Sequence, residues 1–128
     1  MIYGIGVDIV NIIRMGRVVD RWETRFLRRV FTEQEINFCF QGSKPKSSLA
    51  LRFAAKEAFS KAIGLGMRKG IRWHDIETVH NTMGRPDLNL TGKARSFCQE
   101  EGIMSWYVSL SDDGDYGIAV VVLEKHTP

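Results

Sequence analysis

Two carboxylates and a lysine stand at spacings that could do chemistry. The first carboxylate is Asp8, in Gly4-Ile-Gly-Val-Asp8. On an extended strand Gly4, Gly6 and Asp8 share one face, while Tyr3, Ile5, Val7 and Ile9 share the other. The apolar face is expected to enter a core. The glycine face lets another group approach the backbone beside a carboxylate. Alternatively, the strand is an edge whose last acid meets water or caps a helix starting at Asn11. The second carboxylate is Glu57, four residues before Lys61 in Phe53-Ala-Ala-Lys-Glu-Ala-Phe-Ser-Lys-Ala-Ile-Gly64. On a helix these two are surface neighbours, and alone they form an ion pair worth roughly a few tenths of a kcal/mol. Joined with Asp8, they supply two carboxylates for a hard cation such as Mg²⁺ and a cation for phosphate oxygens. At about 100° per residue, Leu51, Ala54, Ala55, Ala58, Phe59, Ala62 and Ile63 fill one half of this helix. Arg52, Phe53, Lys56, Glu57, Ser60 and Lys61 fill the other.

An arginine stripe is the next feature. If residues 11–30 form one helix, Arg14, Arg17, Arg21, Arg25, Arg28 and Arg29 fall within an arc of about 120°. Met15, Val19, Trp22, Phe26 and Val30 lie beside it and are expected to face the core. The stripe has only Asp20 and Glu23 as acids, so it repels itself and suits an acidic partner, be it an acidic protein helix, nucleic acid or anionic lipid; alternatively, it is a solvated face. Asp112 and Asp113 sit in Ser111-Asp-Asp-Gly-Asp115, which reads first as a tight turn.

The elements that must position these groups follow from patterning. Strands are expected at 3–9, 75–80, 86–90, 105–110 and 116–123. Helices are expected at 11–30, 32–40, 47–64 and 91–102. Thr32 with Glu35 three residues on forms a capping-box signature. Asn81–Arg85 is a turn, and residues 42–48, with Lys44 and Lys46, form a polar loop. Helices and mostly antiparallel strands mix without a βαβ rhythm, which indicates an α+β fold. The 128 residues suggest one domain spanning 1–128. At 44% hydrophobic and 26% charged residues, with net charge +3, global disorder is excluded. The longest uncharged apolar run, residues 117–123, is too short to span a membrane. The acid at position 8 argues against a signal peptide, so a cytoplasmic protein is expected. Cys39 and Cys98 lack metal or redox spacing and are expected to be reduced and packed. No role as metal ligand is expected for His74, His80 or His126.

Taken together, Gly4-Ile-Gly-Val-Asp-Ile-Val10 and Arg52-Phe-Ala-Ala-Lys-Glu-Ala-Phe-Ser-Lys-Ala62 resemble the two signatures of the holo-acyl-carrier-protein synthases, the short bacterial phosphopantetheinyl transferases. Gly64-Leu-Gly-Met-Arg68, Gly84-Arg-Pro86 and Val108-Ser-Leu-Ser111 agree, and the similarity covers residues 2–124. The resemblance implies a small α+β domain whose mostly antiparallel sheet packs on a central amphipathic helix, and a homotrimer with sites at subunit contacts. It implies Mg²⁺-dependent transfer of 4′-phosphopantetheine from coenzyme A to a serine of an acidic apo acyl carrier protein, releasing adenosine 3′,5′-bisphosphate, in support of fatty acid biosynthesis. Asp8 and Glu57 match the metal-ligand positions and Lys61 a lysine at the coenzyme phosphates. Arg52 matches an arginine on the coenzyme side, and Lys56, Lys44 and Lys46 are further candidates for phosphate contact. Arg14, Arg17, Arg21, Arg25 and Arg28 would dock the carrier. The expected proton acceptor for the incoming serine is a water beside the cation, oriented by Glu57. Where many relatives carry a histidine, this chain has Asp112, so a histidine contact to the 3′-phosphate is not carried over. Two rivals are a nucleic-acid-binding domain using the stripe, which leaves Asp8 and Glu57 without purpose, and a Mg²⁺-dependent hydrolase of another pyrophosphate nucleotide. No nucleic-acid or membrane partner is expected.

Overall fold

A computed structural model describes residues 1–126. The order is β1 (Ile2–Asn11), α1 (Ile12–Val30), α2 (Glu33–Gln41), α3 (Pro45–Ile63), a short 3₁₀ turn (Trp73–Asp75), β2 (Ile76–His80), β3 (Pro86–Leu90), α4 (Gly92–Glu100), β4 (Ile103–Asp113) and β5 (Tyr116–Lys125). Strands β1, β5 and β4 form one sheet in that spatial order, and β2 pairs with β3 in a second. Every pairing is antiparallel, as expected for α+β.

Helix α3 is the axis of the molecule. Proline at its first turn pre-sets the helical φ, and Gly64 ends it in the left-handed region at φ 78°. The helix therefore starts two residues earlier than the expected boundary and takes Lys46 out of the polar loop. It is also buried on more than one half: Arg52, Lys56 and Ser60 join the alanine face in the interior. The sheet covers one side, while α1, α2 and β2 cover the others.

The faces of β1 are the reverse of expectation. Gly6 is buried against α3, whereas Ile5, Val7 and Ile9 are 50–65% exposed. The reason is the closeness of strand and helix. A Cβ on Gly6 would lie 1.8 Å from the Ala58 carbonyl oxygen, and one on Gly4 would lie 2.0 Å from that of Ala62. Glycine on the strand and alanine on the helix let the two backbones nearly touch, so the glycine face is the packed one. The outer face aligns Ile5, Val7 and Ile9 with Val122, Val120 and Ile118.

Helix α1 is capped by the Asn11 side chain, which accepts from the Arg14 amide at 3.0 Å. It is not one continuous helix. Glu23, at φ 45° and ψ −128°, breaks it, so the arginine stripe divides into 14/17/21 and 25/28/29. The break also overturns the place given to Trp22, which is 49% exposed with the Arg21 guanidinium 5.4 Å over its ring. Met15, Val19 and Val30 are in the core as expected. The Thr32/Glu35 capping box forms in full. Strand β4 runs on to Asp113, so Asp112 and Asp113 pair with Gly117 and Tyr116 at the hairpin end. Cys39 and Cys98 are free and buried.

Candidate active site

Asp8 is the next residue after Gly4 and Gly6 on the face that meets α3. The close packing of the two glycines delivers its carboxylate to the surface of that helix. There Oδ1 of Asp8 accepts a hydrogen bond from Nζ of Lys61 at 2.9 Å, and the same ammonium donates to the Val7 carbonyl at 3.2 Å. Glu57 lies one turn earlier on α3 and is half-buried. Its carboxyl is pushed above the usual carboxylate range, first by burial and then by the Asp8 charge, with Lys61 opposing. Asp8, Glu57 and Lys61 thus act on one another within a single chain, although 49 residues separate the two acids in the sequence.

This arrangement fits a hard cation. The charges of Asp8 and Glu57 repel each other, and the one ammonium acting on both is that of Lys61, bonded to Asp8 and exposed. Among the described residues no group of three His, Cys, Asp or Glu side chains converges anywhere. A cation at this place would take two carboxylates from the chain and its other oxygens from water and ligand. Mg²⁺ commonly accepts that donor set when it bridges phosphates.

Besides Lys61, the four other groups considered for phosphate contact divide. Lys56 is not available. It is fully buried, and its three ammonium hydrogens go to Oε1 of Glu35 at 2.8 Å, the Trp73 carbonyl at 3.0 Å and the Ile76 carbonyl at 2.5 Å. Lys46, in the first turn of α3, bonds Asp20 on α1 at 2.8 Å. Lys44 is exposed at the helix entry. Arg52 is 3% exposed, yet it has no carboxylate partner among the described residues. Its Nη1 donates to the carbonyl and Oγ of Ser48, and its Nε is buried without a partner. Arg14, Arg17, Arg21, Arg25 and Arg28 are all exposed.

Sequence reasoning missed Glu35 as the counter-charge of Lys56. The capping box marked Glu35 as a helix end, but nothing in the sequence marked Lys56 as buried and in need of a counter-charge. It also missed His80, whose ring stacks on Phe38 at 4.3 Å and whose Nδ1 lies 3.4 Å from Nη2 of Arg52. That contact joins β2 to α3, and no local pattern announces it.

A strand carboxylate, a helix carboxylate and a helix lysine gathered on a small α+β scaffold have the donor types that would serve phosphate-ester chemistry beside a cation. Comparison with known proteins narrows this to a family. Residues 4–121 match the family model of the 4′-phosphopantetheinyl transferase superfamily. The holo-[acyl-carrier-protein] synthase of Geobacter sulfurreducens is 47% identical over 125 residues, covering 98% of this chain and 99% of that one. The crystal structure of the Neisseria meningitidis holo-[acyl-carrier-protein] synthase is similar with a TM-score of 0.89 at 41% identity, over 98% of this chain and 100% of that one. The Helicobacter pylori synthase, solved in complex with coenzyme A, has a TM-score of 0.83 at 35% identity, over 94% and 99%. The chain belongs to the 4′-phosphopantetheinyl transferase superfamily and is an enzyme of the holo-[acyl-carrier-protein] synthase type.

Proposed function

We propose that this enzyme transfers 4′-phosphopantetheine from coenzyme A to a serine of an apo acyl carrier protein. It releases adenosine 3′,5′-bisphosphate and so supplies the carriers of fatty acid biosynthesis in the cytosol. The observation that carries the reading is the convergence of Asp8, Glu57 and Lys61. Bound Mg²⁺ supplies charge neutralisation at the pyrophosphate that repels an incoming oxygen. Asp8 and Glu57 hold it, and Lys61 adds a point charge to the same oxygens. The serine oxygen forms a bond to the phosphorus that carries pantetheine, and the bond from that phosphorus to the bridging oxygen breaks. The hydroxyl proton passes to a water that Glu57 orients, because a carboxylate that holds a cation is itself a weaker base.

The exposed arginines of α1 suit a small acidic carrier, with long-range attraction raising the encounter rate. The apolar outer face of the large sheet, with Ile5, Val7, Ile9 and Ile118, suits burial against further copies of the chain, and we propose a homotrimer. Neither nucleic acid nor membrane has a part in the reaction; no helix among the described residues is long and apolar enough to cross a bilayer. Mass spectrometry of an apo carrier mixed with the enzyme, coenzyme A and Mg²⁺ tests the reaction. A gain of one phosphopantetheine on the carrier is expected. Free phosphopantetheine beside an unmodified carrier would make the enzyme a hydrolase and overturn the reading.

A further inference from the structure

Asp20 is out of place on the basic first helix. Before the break at Glu23, α1 exposes Arg14, Arg17 and Arg21, and Asp20 is the one acid among them. An acid on a face that meets an acidic partner works against the encounter. The fold gives it a partner from another helix. Oδ2 of Asp20 accepts a hydrogen bond from Nζ of Lys46, in the first turn of α3, at 2.8 Å. Lys46 reaches it by lying across α1 at Gly16. A Cβ on Gly16 would find its three nearest atoms on the Lys46 stem, at 3.0, 3.8 and 3.8 Å. Glycine inside a helix is destabilising relative to alanine, and here it clears the path of the lysine. The pair stays wet, with side chains 50% and 63% exposed. Exposed ion pairs of this kind are weak, so exchanging the partner costs little.

The pair also borders a groove. A cavity of about 320 Å³ is lined by the apolar Ile12, Ile13 and Gly16 and by the charged Arg17, Asp20 and Lys46. Ile13 is 49% exposed there. At about 100° per residue, Gly16, Asp20, Ile13, Arg17, Arg21 and Arg14 follow one another around α1, so the groove runs into the arginine face without a gap.

We infer that the Lys46–Asp20 pair is a masked docking contact for the carrier protein: Asp20 occupies Lys46 in the free enzyme, and Lys46 passes to a carboxylate of the carrier when an apolar side chain beside that carboxylate enters the groove. That role rests on the proposed transfer to an acidic carrier and adds to it a contact on α3, outside the arginine stripe. It also moves Lys46 from the coenzyme, where the resemblance offered it, to the carrier. The charges select this occupant. Once Asp20 is set aside, Arg14, Arg17, Arg21 and Lys46 have no other carboxylate partner among the described residues. A helix that is both acidic and apolar complements the whole patch, whereas a neutral or basic surface leaves its cations unmatched. Asp20 then sets a threshold, since a partner must offer a better anion than the one already present.

The test is a double-mutant cycle on the intact enzyme, with the KM for apo carrier and the Kd for coenzyme A measured in each variant. Asp20→Asn should lower the carrier KM by roughly two- to threefold, and Lys46→Met should raise it by roughly threefold, the range open to exposed charges. Asp20→Asn combined with Lys46→Met should stay roughly threefold above Asp20→Asn alone, because the lysine then still has a carrier contact to lose. Gly16→Ala favours the helix and displaces the lysine stem, so it should raise the carrier KM while raising the melting temperature. These changes should fall on KM rather than kcat and shrink as salt is added. A double variant with the KM of Asp20→Asn alone would mean that Lys46 never touches the carrier, and it overturns the exchange. So does an Asp20→Asn variant that binds the carrier more weakly. Weaker binding of coenzyme A by Lys46→Met returns the lysine to the coenzyme and overturns the inference. A change of oligomeric state in size-exclusion chromatography makes the groove a contact between copies of the chain and overturns it as well. Failure of the transferase reading itself shows separately, in mass spectrometry, as a carrier left unmodified by the parent enzyme.

Discussion

Two of the lysines of helix α3, Lys56 and Lys61, stand five residues apart, and their surroundings differ in kind. Lys56 and its partner Glu35 are both fully buried, whereas Lys61 is 54% exposed and its partner Asp8 16%. Around Lys56 every donor is used. Glu35 in turn takes the amides of Thr32 and Thr78, so α2, α3 and β2 are tied at one point. Around Lys61 the account is open, because Glu57 adds a second negative charge that the one ammonium does not neutralise. A saturated buried pair fixes geometry and has nothing left for a ligand. An unsaturated pair at a surface is poised to exchange partners. On the helical wheel Lys56 and Lys61 share the polar half, and the sequence offers both for phosphate contact, Lys61 first; their partners separate them.

The largest expected effect breaks that comparison from the closed side. Lys56→Met leaves Glu35 charged and unpaired in the interior, so the protein should lose about 3–5 kcal/mol in urea denaturation. Lys61→Met should lose only about 0–1 kcal/mol, because its pair is solvated. Activity should rank them the other way at a temperature where both variants are folded. Two variants equal in stability would remove the distinction between the lysines.

Next in size are the acids of the open cluster. Asp8→Asn or Glu57→Gln should lower the transfer rate by about a hundredfold or more, since each removes a charge expected to hold the cation. Glu57→Gln also has a stability signature of definite sign. Its carboxyl is raised in the folded state, so the unfolded chain ionises first, and stability is lost as pH rises from the ordinary carboxylate value through the raised one. In a chelator at neutral pH the variant should therefore melt higher than the parent, and the gap should close as both become protonated in acid. Adding Mg²⁺ should raise the melting temperature of the parent and much less that of the variant. A variant with full activity and full response to Mg²⁺ would remove Glu57 from the site.

Much of the fold was legible in the sequence, but this contrast was not, and the reasons are physical. The strands and the capping box at Thr32 and Glu35 could be read because spacing and periodicity are local, whereas the pairing of Asp8 with Glu57 is long-range and rested on the resemblance of two separate signatures. The burial of Arg52 and Lys56 could not, because helical periodicity assigns one wet face to a helix that is in fact covered on several sides. The faces of β1 were inverted for a related reason. Apolar residues usually mark the core face, but here two glycines made closer packing possible, and the branched side chains were left outside. The break at Glu23 leaves no trace of Gly or Pro, so α1 read as continuous.

The smallest expected effect extends the comparison to α1, whose cations are all on the open side. Arg14 and Arg21 are exposed, with no carboxylate partner among the described residues, and both precede the break at Glu23. Arg14→Glu or Arg21→Glu should raise the KM for the carrier protein several-fold, worth about 1 kcal/mol, and the effect should shrink as salt is added. The affinity for coenzyme A should hardly move, because neither side chain belongs to the Asp8–Glu57–Lys61 cluster. Arg28→Glu, on the far side of the break, provides the internal control. The break re-aims the second segment, so a carrier that docks on one straight face would feel Arg14 and Arg21 more than Arg28. Equal KM effects from all three would mean that the carrier follows the bend, and equal losses for carrier and coenzyme would remove the helix from docking altogether.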